Sequence, residues 1–173
     1  MNGRAWGVGL SAVVVLSGCQ QWDCAFESHG ACIEFANPPA DLEDAQTRVD
    51  RLLDLELAYW GLSNLDDWRI QFRTSAEYPC YFATRNEGCT DYILQTISVK
   101  VPEEAPECFE ASELLHELGH YELGDPMHSS DRWLGVDEQF APIVWDRPDA
   151  TPSCVERFEG IRAGMWRVRV DEF

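Results

Sequence analysis

The chain has 173 residues, 45% apolar and 25% charged, a balance that fits one globular domain and excludes a collagen-like, disordered or polytopic membrane protein. Asp and Glu number 31 against 13 Lys and Arg, for a formal charge of −18, so the surface repels nucleic acid and anionic lipid head groups. Lys100 is the sole lysine and the arginines are mostly dispersed, so no basic patch offsets that field; partners are expected to be neutral, cationic or metallic, with no nucleic acid among them.

Residues 1–18 read as a signal peptide. Arg4 is a short positive start, and Ala5 to Leu16 is apolar but, at twelve positions, too short for the ~20 residues of a membrane span. The segment ends in Leu16-Ser17-Gly18-Cys19, which resembles the lipobox of bacterial lipoproteins. The resemblance implies that Cys19 is lipidated as the first mature residue and anchors the chain to the cell envelope. Each buried CH₂ of an acyl chain adds ~0.8 kcal/mol, so several chains hold a protein without a spanning helix. Gln20, where an Asp would signal otherwise, implies sorting to the outer membrane. Removing residues 1–18 takes away Arg4 alone among the charges, so the mature chain is more acidic by one.

Six cysteines follow Cys19: Cys24, Cys32, Cys80, Cys89, Cys108 and Cys154. An even count in an exported chain points to three disulfides. Local spacing favours Cys24 with Cys32 and Cys80 with Cys89, which leaves Cys108 to Cys154. A thiolate zinc site is the alternative, but the chain has no Cys-x-x-Cys pair.

Residues 19–40 read as the lipidated Cys and a disulfide-pinned tether, with Gly30, Pro38 and Pro39 and little periodicity; His29 stands alone there and reads as exposed. The domain is expected to occupy 41–173. Leu42, Ala45, Val49, Leu52, Leu53 and Trp60 recur at helical steps between a capping Asp41 and a closing Gly61. Trp68–Thr74 alternates Ile70 and Phe72 with Arg69, Gln71 and Arg73 as a strand. Tyr78–Thr90 is expected to hold a further strand and a turn at Asn86-Glu87-Gly88, and Tyr92–Val101 a β-branched strand stopped by Pro102. Past the second helix, 137–145 and 152–160 read as short helices, and Trp166, Val168 and Val170 alternate with Arg167 and Arg169 as a last strand.

The chemistry lies in Glu110 to Gly124. Leu114, Leu118 and Tyr121 mark a buried stripe, while His116 and His120, four apart, project from one face and can bind one ion. Glu117 is rotated about 100° from His116, within reach of a water on that ion without ligating it. Gly124 and the pre-proline Asp125 end the helix one turn past His120, and the chain turns back carrying His128. His128 is read as the third ligand. Glu138 and the carboxylates of Asp125, Asp131 and Asp137 are the alternatives. Glu113, one turn before Glu117, is either an orienting neighbour of His116 or a solvated carboxylate. Met165 reads as a core residue.

The segment from His116 to Trp133 resembles the zincin metallopeptidases, nearest to the small families of SprT or WLM type, in which a third His after a short turn is followed by an aromatic. It departs from them in leaving seven residues between His120 and His128 rather than about five, and it lacks the metzincin Gly three residues after His120. The resemblance implies an α+β zincin-like fold, a small twisted sheet packed on two main helices and braced by disulfides, that binds Zn²⁺ at His116, His120 and His128. It implies a peptide or protein substrate, hydrolysed by a metal-activated water with Glu117 as general base, and the strand at 92–101 as the place where an extended substrate would add. The rival reading is a non-catalytic lipoprotein that binds metal or a partner.

Overall fold

The computed structural model describes residues 23–74, 80, 87–136 and 154. The lipobox, residues 78–86 apart from Cys80, the segments at 137–145, 152–160 apart from Cys154, and 166–170, and Met165, Asp137 and Glu138 therefore lie outside the described residues. No helix among those described is long and apolar enough to cross a membrane.

The architecture is α+β. Strands β1 (Phe26–Ser28), β2 (Ala31–Phe35), β3 (Arg69–Arg73), β4 (Gly88–Asp91) and β5 (Thr96–Lys100) form one mixed sheet in the order β1-β2-β3-β5-β4. The inner pairs β2–β3 and β3–β5 are parallel, and the outer pairs β1–β2 and β4–β5 are antiparallel. Helix α1 (Leu42–Trp60) links β2 to β3, and α2 (Leu114–Leu123) follows the sheet.

Register explains where the core sits. Ile33, Ile70 and Ile97 align across three strands, and Phe35, Phe72 and Val99 form the next row. Because side chains alternate along a strand, both rows face the same side, where α1 lays down Ala45, Val49, Leu52, Leu53, Leu57 and Trp60. On β4 the rows end in Thr90, opposite Ile97, and Gly88, opposite Val99. The other face is polar: the fully buried Glu34 accepts from Arg69 and, at 2.7 Å, from Gln71, whose Oε1 accepts from Ser98 at 2.9 Å.

Helix α1 forms as expected, with the Asp41 carboxylate accepting from the Glu43 and Asp44 amides and Gly61 left-handed at φ 79°. Arg48 fastens it to a single 3₁₀ turn at Phe109–Ala111 by a two-pronged bond to Glu110 at 2.9 and 2.7 Å, with its guanidinium 4.5 Å from the Phe109 ring. That turn occupies the start of the stretch expected to be helical from Glu110; extended backbone at Ser112 delays α2 to Leu114.

Further expectations need correction. Residues 26–35 are not tether but the β1–β2 hairpin, and their alternation of Ala31, Ile33 and Phe35 had been hidden among Cys, Gly and Pro. His29, read as exposed, is half-buried at the hairpin turn, with Nδ1 3.0 Å from Ser28 Oγ and Nε2 2.9 Å from Asp54. The run from Tyr92 is a turn as far as Gln95, and Gly88, expected in a turn, opens β4. The resulting β5 is flanked by β3 and β4 and cannot accept an added strand; among the described residues β4 is the outer one.

The six cysteines stand at disulfide distance in the three pairs that spacing favoured, with Cα separations of 5.4 Å for Cys24–Cys32, 5.7 Å for Cys80–Cys89 and 5.4 Å for Cys108–Cys154. The last closes a separation of 46 residues, for which loop-closure entropy gives about 4 kcal/mol. The double variant Cys108→Ser/Cys154→Ser is expected to lose roughly that much stability in urea melts. Mass mapping of the unreduced parent should find none of the six thiols free.

Candidate metal centre

Helix α2 has ten residues, so tertiary contacts rather than intrinsic propensity must hold it. Leu114, Leu115 and Leu118 are buried in the core, and the Trp60 indole donates to the Leu115 carbonyl at 2.7 Å. Gly119 allows the closest approach: a Cβ there would lie 2.4 Å from Trp60 and 2.8 Å from Trp133. These contacts fix the rotation of α2 and so aim His116 and His120 away from the core. The helix stops as the sequence implied, with Gly124 left-handed at φ 58° and its amide donating to the His120 carbonyl.

The turn after Gly124 is built on Asp125. Its carboxylate accepts from the Met127 amide at 3.1 Å, Ser129 Oγ at 3.1 Å, the Ser130 amide at 2.8 Å and Trp133 Nε1 at 3.1 Å. Desolvation pushes the Asp125 carboxyl up, but these hydrogen bonds together outweigh it and hold the group at about 2. With four donors on it, Asp125 organises the loop, and the metal-ligand alternative for this residue gives way to a structural one. Asp131 begins the 3₁₀ turn Asp131–Trp133 and stands outside the histidine cluster.

The loop brings His128, itself left-handed at φ 53°, back over the helix. The imidazole centroids of His116, His120 and His128 lie 4.7–4.9 Å apart, and one ligand atom from each falls within 4.8 Å of the others. Trp133 packs on all three rings at 4.4–5.1 Å. His120 Nδ1 is 2.9 Å from the Asp125 carbonyl, so Nδ1 carries the proton and Nε2 presents its lone pair. Burial lowers the His120 pKa, against the raising effect of that carbonyl, and keeps the ring neutral as a ligand must be. The three histidines could together hold a metal ion.

Glu117 points elsewhere. It is buried against β4, where Thr90 Oγ1 lies 2.8 Å from its Oε2 and 2.8 Å from its own carbonyl oxygen. A Cβ at Gly88 would lie 2.3 Å from Oε1, so glycine at that register position makes room for the carboxylate. Burial pushes the Glu117 carboxyl up to about 7; the Thr90 hydrogen bond lowers it and the Glu113 charge raises it. Glu113 stands at the N-cap of α2. Thr90, Gly88 and Trp60 escape a sequence reading because they reach the site through sheet register and helix packing, with no local motif to mark them.

Comparison of the chain with protein-family models, curated proteins and solved structures finds no match. The functional reading therefore rests on this geometry.

Glu117 binds its proton more tightly folded than unfolded, so its contribution to stability falls as pH rises from about 4.5 through about 7. The full difference is about 3 kcal/mol. In chelator-treated, metal-free protein, Glu117→Gln is expected to match the parent near pH 4 and to exceed its stability by roughly that amount at pH 8. Parallel denaturant melts across this range check it; parallel stabilities at both pH values would contradict the burial of a titrating carboxyl.

Proposed function

We propose that the chain is a zinc-dependent peptidase of zincin type, tethered to the bacterial envelope through lipid on Cys19. The observation that carries the reading is the convergence of His116, His120 and His128 beside a helix on which Glu117 directly follows the first ligand.

The donor set fits zinc. Two ligand atoms at ~2.05 Å from a tetrahedral ion stand ~3.3 Å apart; the Nε2 atoms of His128 and His116 are 3.1 Å apart, and all three donors lie within 4.8 Å of one another, so a bound ion would draw the third inward. Three imidazole ligands would leave a fourth position for water or substrate. When bound, Zn²⁺ supplies Lewis-acid polarisation of a scissile carbonyl and lowers the pKa of a water toward ~7. The three histidines hold the ion, and the Asp125 carbonyl keeps the His120 tautomer correct. On this reading Glu117 would accept the proton of the attacking water and return it to the leaving amine, which requires its carboxyl to turn from Thr90 toward the histidine face of α2. Strand β4, the outer one among the described residues, borders α2 and would be the edge along which an extended substrate lies.

A second reading, a metal-binding or partner-binding lipoprotein without turnover, is favoured by the burial of Glu117 under β4. Metal content and peptide-library cleavage, with and without chelator, separate the two. Glu117→Gln should retain about one zinc per chain and lose hydrolysis by ~100-fold or more. His116→Ala and His120→Ala should lose the metal, and His128→Ala should show a large fall in affinity. A near-native affinity in His128→Ala, with Glu138→Ala losing zinc instead, would move the third ligand to Glu138. Full zinc binding by all the histidine variants would remove the metal site and the enzyme with it.

The anchor is tested on full-length protein expressed with its leader. Cys19→Ser should move the protein from the detergent phase to the aqueous phase of a cloud-point separation. Unchanged partitioning would remove the lipoprotein reading.

A further inference from the structure

The large apolar side chains left exposed among the described residues are Leu42, Tyr92, Ile93, Leu94, Met127 and Leu134. All but Leu42 lie within two residues of a group that touches the histidine cluster. The Tyr92 hydroxyl bonds the His120 carbonyl, and Ile93 and Leu94 follow it. Met127 precedes His128, and Leu134 follows Trp133, the ring that packs on all three imidazoles.

These side chains are held outward by ordered backbone. Asp91 Oδ1 accepts from the amides of Ile93 and Leu94, both at 2.9 Å, and Asp125 does the same for Met127. The Leu134 amide donates to the Asp131 carbonyl at 3.1 Å. Exposures of 89% for Ile93, 68% for Leu94, 79% for Met127 and 80% for Leu134 mean that rigid turns present nearly whole apolar side chains to solvent around one site. Such a patch marks a contact surface, and its preformed backbone lowers the ordering cost of binding.

Charge selects the occupant. Asp91, Glu122, Asp125 and Asp131 belong to the same turns and to the end of α2, and Arg132, the cation among them, is engaged by Glu122 at 3.1 Å. This acidic ground repels anionic phospholipid and favours a neutral or basic chain. We infer that Ile93, Leu94, Met127 and Leu134 form an apolar collar that recognises extended polypeptide with apolar side chains in a neutral or basic context. The inference rests on the peptidase reading and names its substrate class.

The test uses the zinc-loaded, oxidised chain carrying Cys19→Ser and Glu117→Gln, which binds without turnover. Fluorescence anisotropy compares a labelled peptide rich in Leu, Phe and Arg with one in which the apolar residues are Ser. The apolar peptide should bind at least tenfold tighter. Ile93→Ser/Leu94→Ser and Met127→Ser should each remove about tenfold of that affinity with zinc content and melting temperature unchanged, and Leu42→Ser should remove none. Equal binding of the two peptides, or collar variants that bind like the parent, overturns the proposal. So does loss, in those variants, of self-association in sedimentation or of flotation with phosphatidylcholine or phosphatidylglycerol vesicles in place of peptide binding. Because binding is read without turnover, a collar that binds in a chain whose Glu117 parent cleaves nothing upholds the collar and removes the peptidase. Cleavage by that parent without apolar preference removes the collar alone.

Discussion

The candidate site depends on the Asp125 carboxylate. Three imidazoles from a helix and its following loop converge only if the chain reverses within a few residues of Gly124 and stays reversed. Each loop residue so fixed costs roughly 1–2 kcal/mol of backbone entropy. Asp125 offsets that cost at one point, drawing in two amides, a hydroxyl and the Trp133 indole, while its own carbonyl sets the His120 ring. Pro126 stiffens the same turn by fixing its φ. A single residue thus determines where His128 lies, where Trp133 packs and which nitrogen of His120 presents its lone pair.

The neighbouring face of α2, turned toward β4, obeys a different constraint. The apolar rows of the sheet run through Ile97 and Val99 and then meet Thr90 and Gly88, so the sheet ends in a hydroxyl and an empty Cβ position where two more apolar side chains would pack best. Glu117 fills that space. A buried carboxylate with a hydroxyl partner is less stabilising there than a leucine would be, and local rules are most often broken where a side chain is needed for something other than packing. Gly119 breaks another rule, since glycine inside a helix costs about 1 kcal/mol against alanine. Here it is the only residue that lets the Trp60 and Trp133 rings close on α2.

Much of this was legible in the sequence where the determinants are local. Asp41, the helical spacing from Leu42 to Trp60 and Gly61 define α1 without reference to anything distant. His116, Glu117 and His120 followed by Gly124-Asp125-Pro126 define the histidine-bearing helix and its stop. Spacing also separated the cysteines into the pairs that lie at disulfide distance. The failures arose where partners are remote or signals compete. Strands β1 and β2 have three and five residues, and beside two Cys, a Gly and two Pro their alternation is too brief to stand out. The apolar run from Tyr92 looked like one strand because Asp91 looks like any polar residue until its side chain is seen accepting two amides and turning the chain. No local pattern could have announced that β5 enters between β3 and β4; that order follows from topology alone.

Both constraints meet at Trp60. It closes α1, donates to α2 through Leu115, packs edge-on to Trp133 at 5.6 Å and receives the Arg132 guanidinium over its ring and at its carbonyl. The loop carrying His128 is therefore attached to the core through Trp133 and Arg132 as well as to α2 through Asp125. A ten-residue helix has little stability by itself, so its orientation is set by these aromatic contacts before any ion arrives. An ion held by the three histidines would add stability in proportion to how much better the folded chain binds it than the unfolded one. Preorganisation by Trp60, Gly119 and Asp125 would raise that difference, because the ion would not bear the cost of gathering its own ligands.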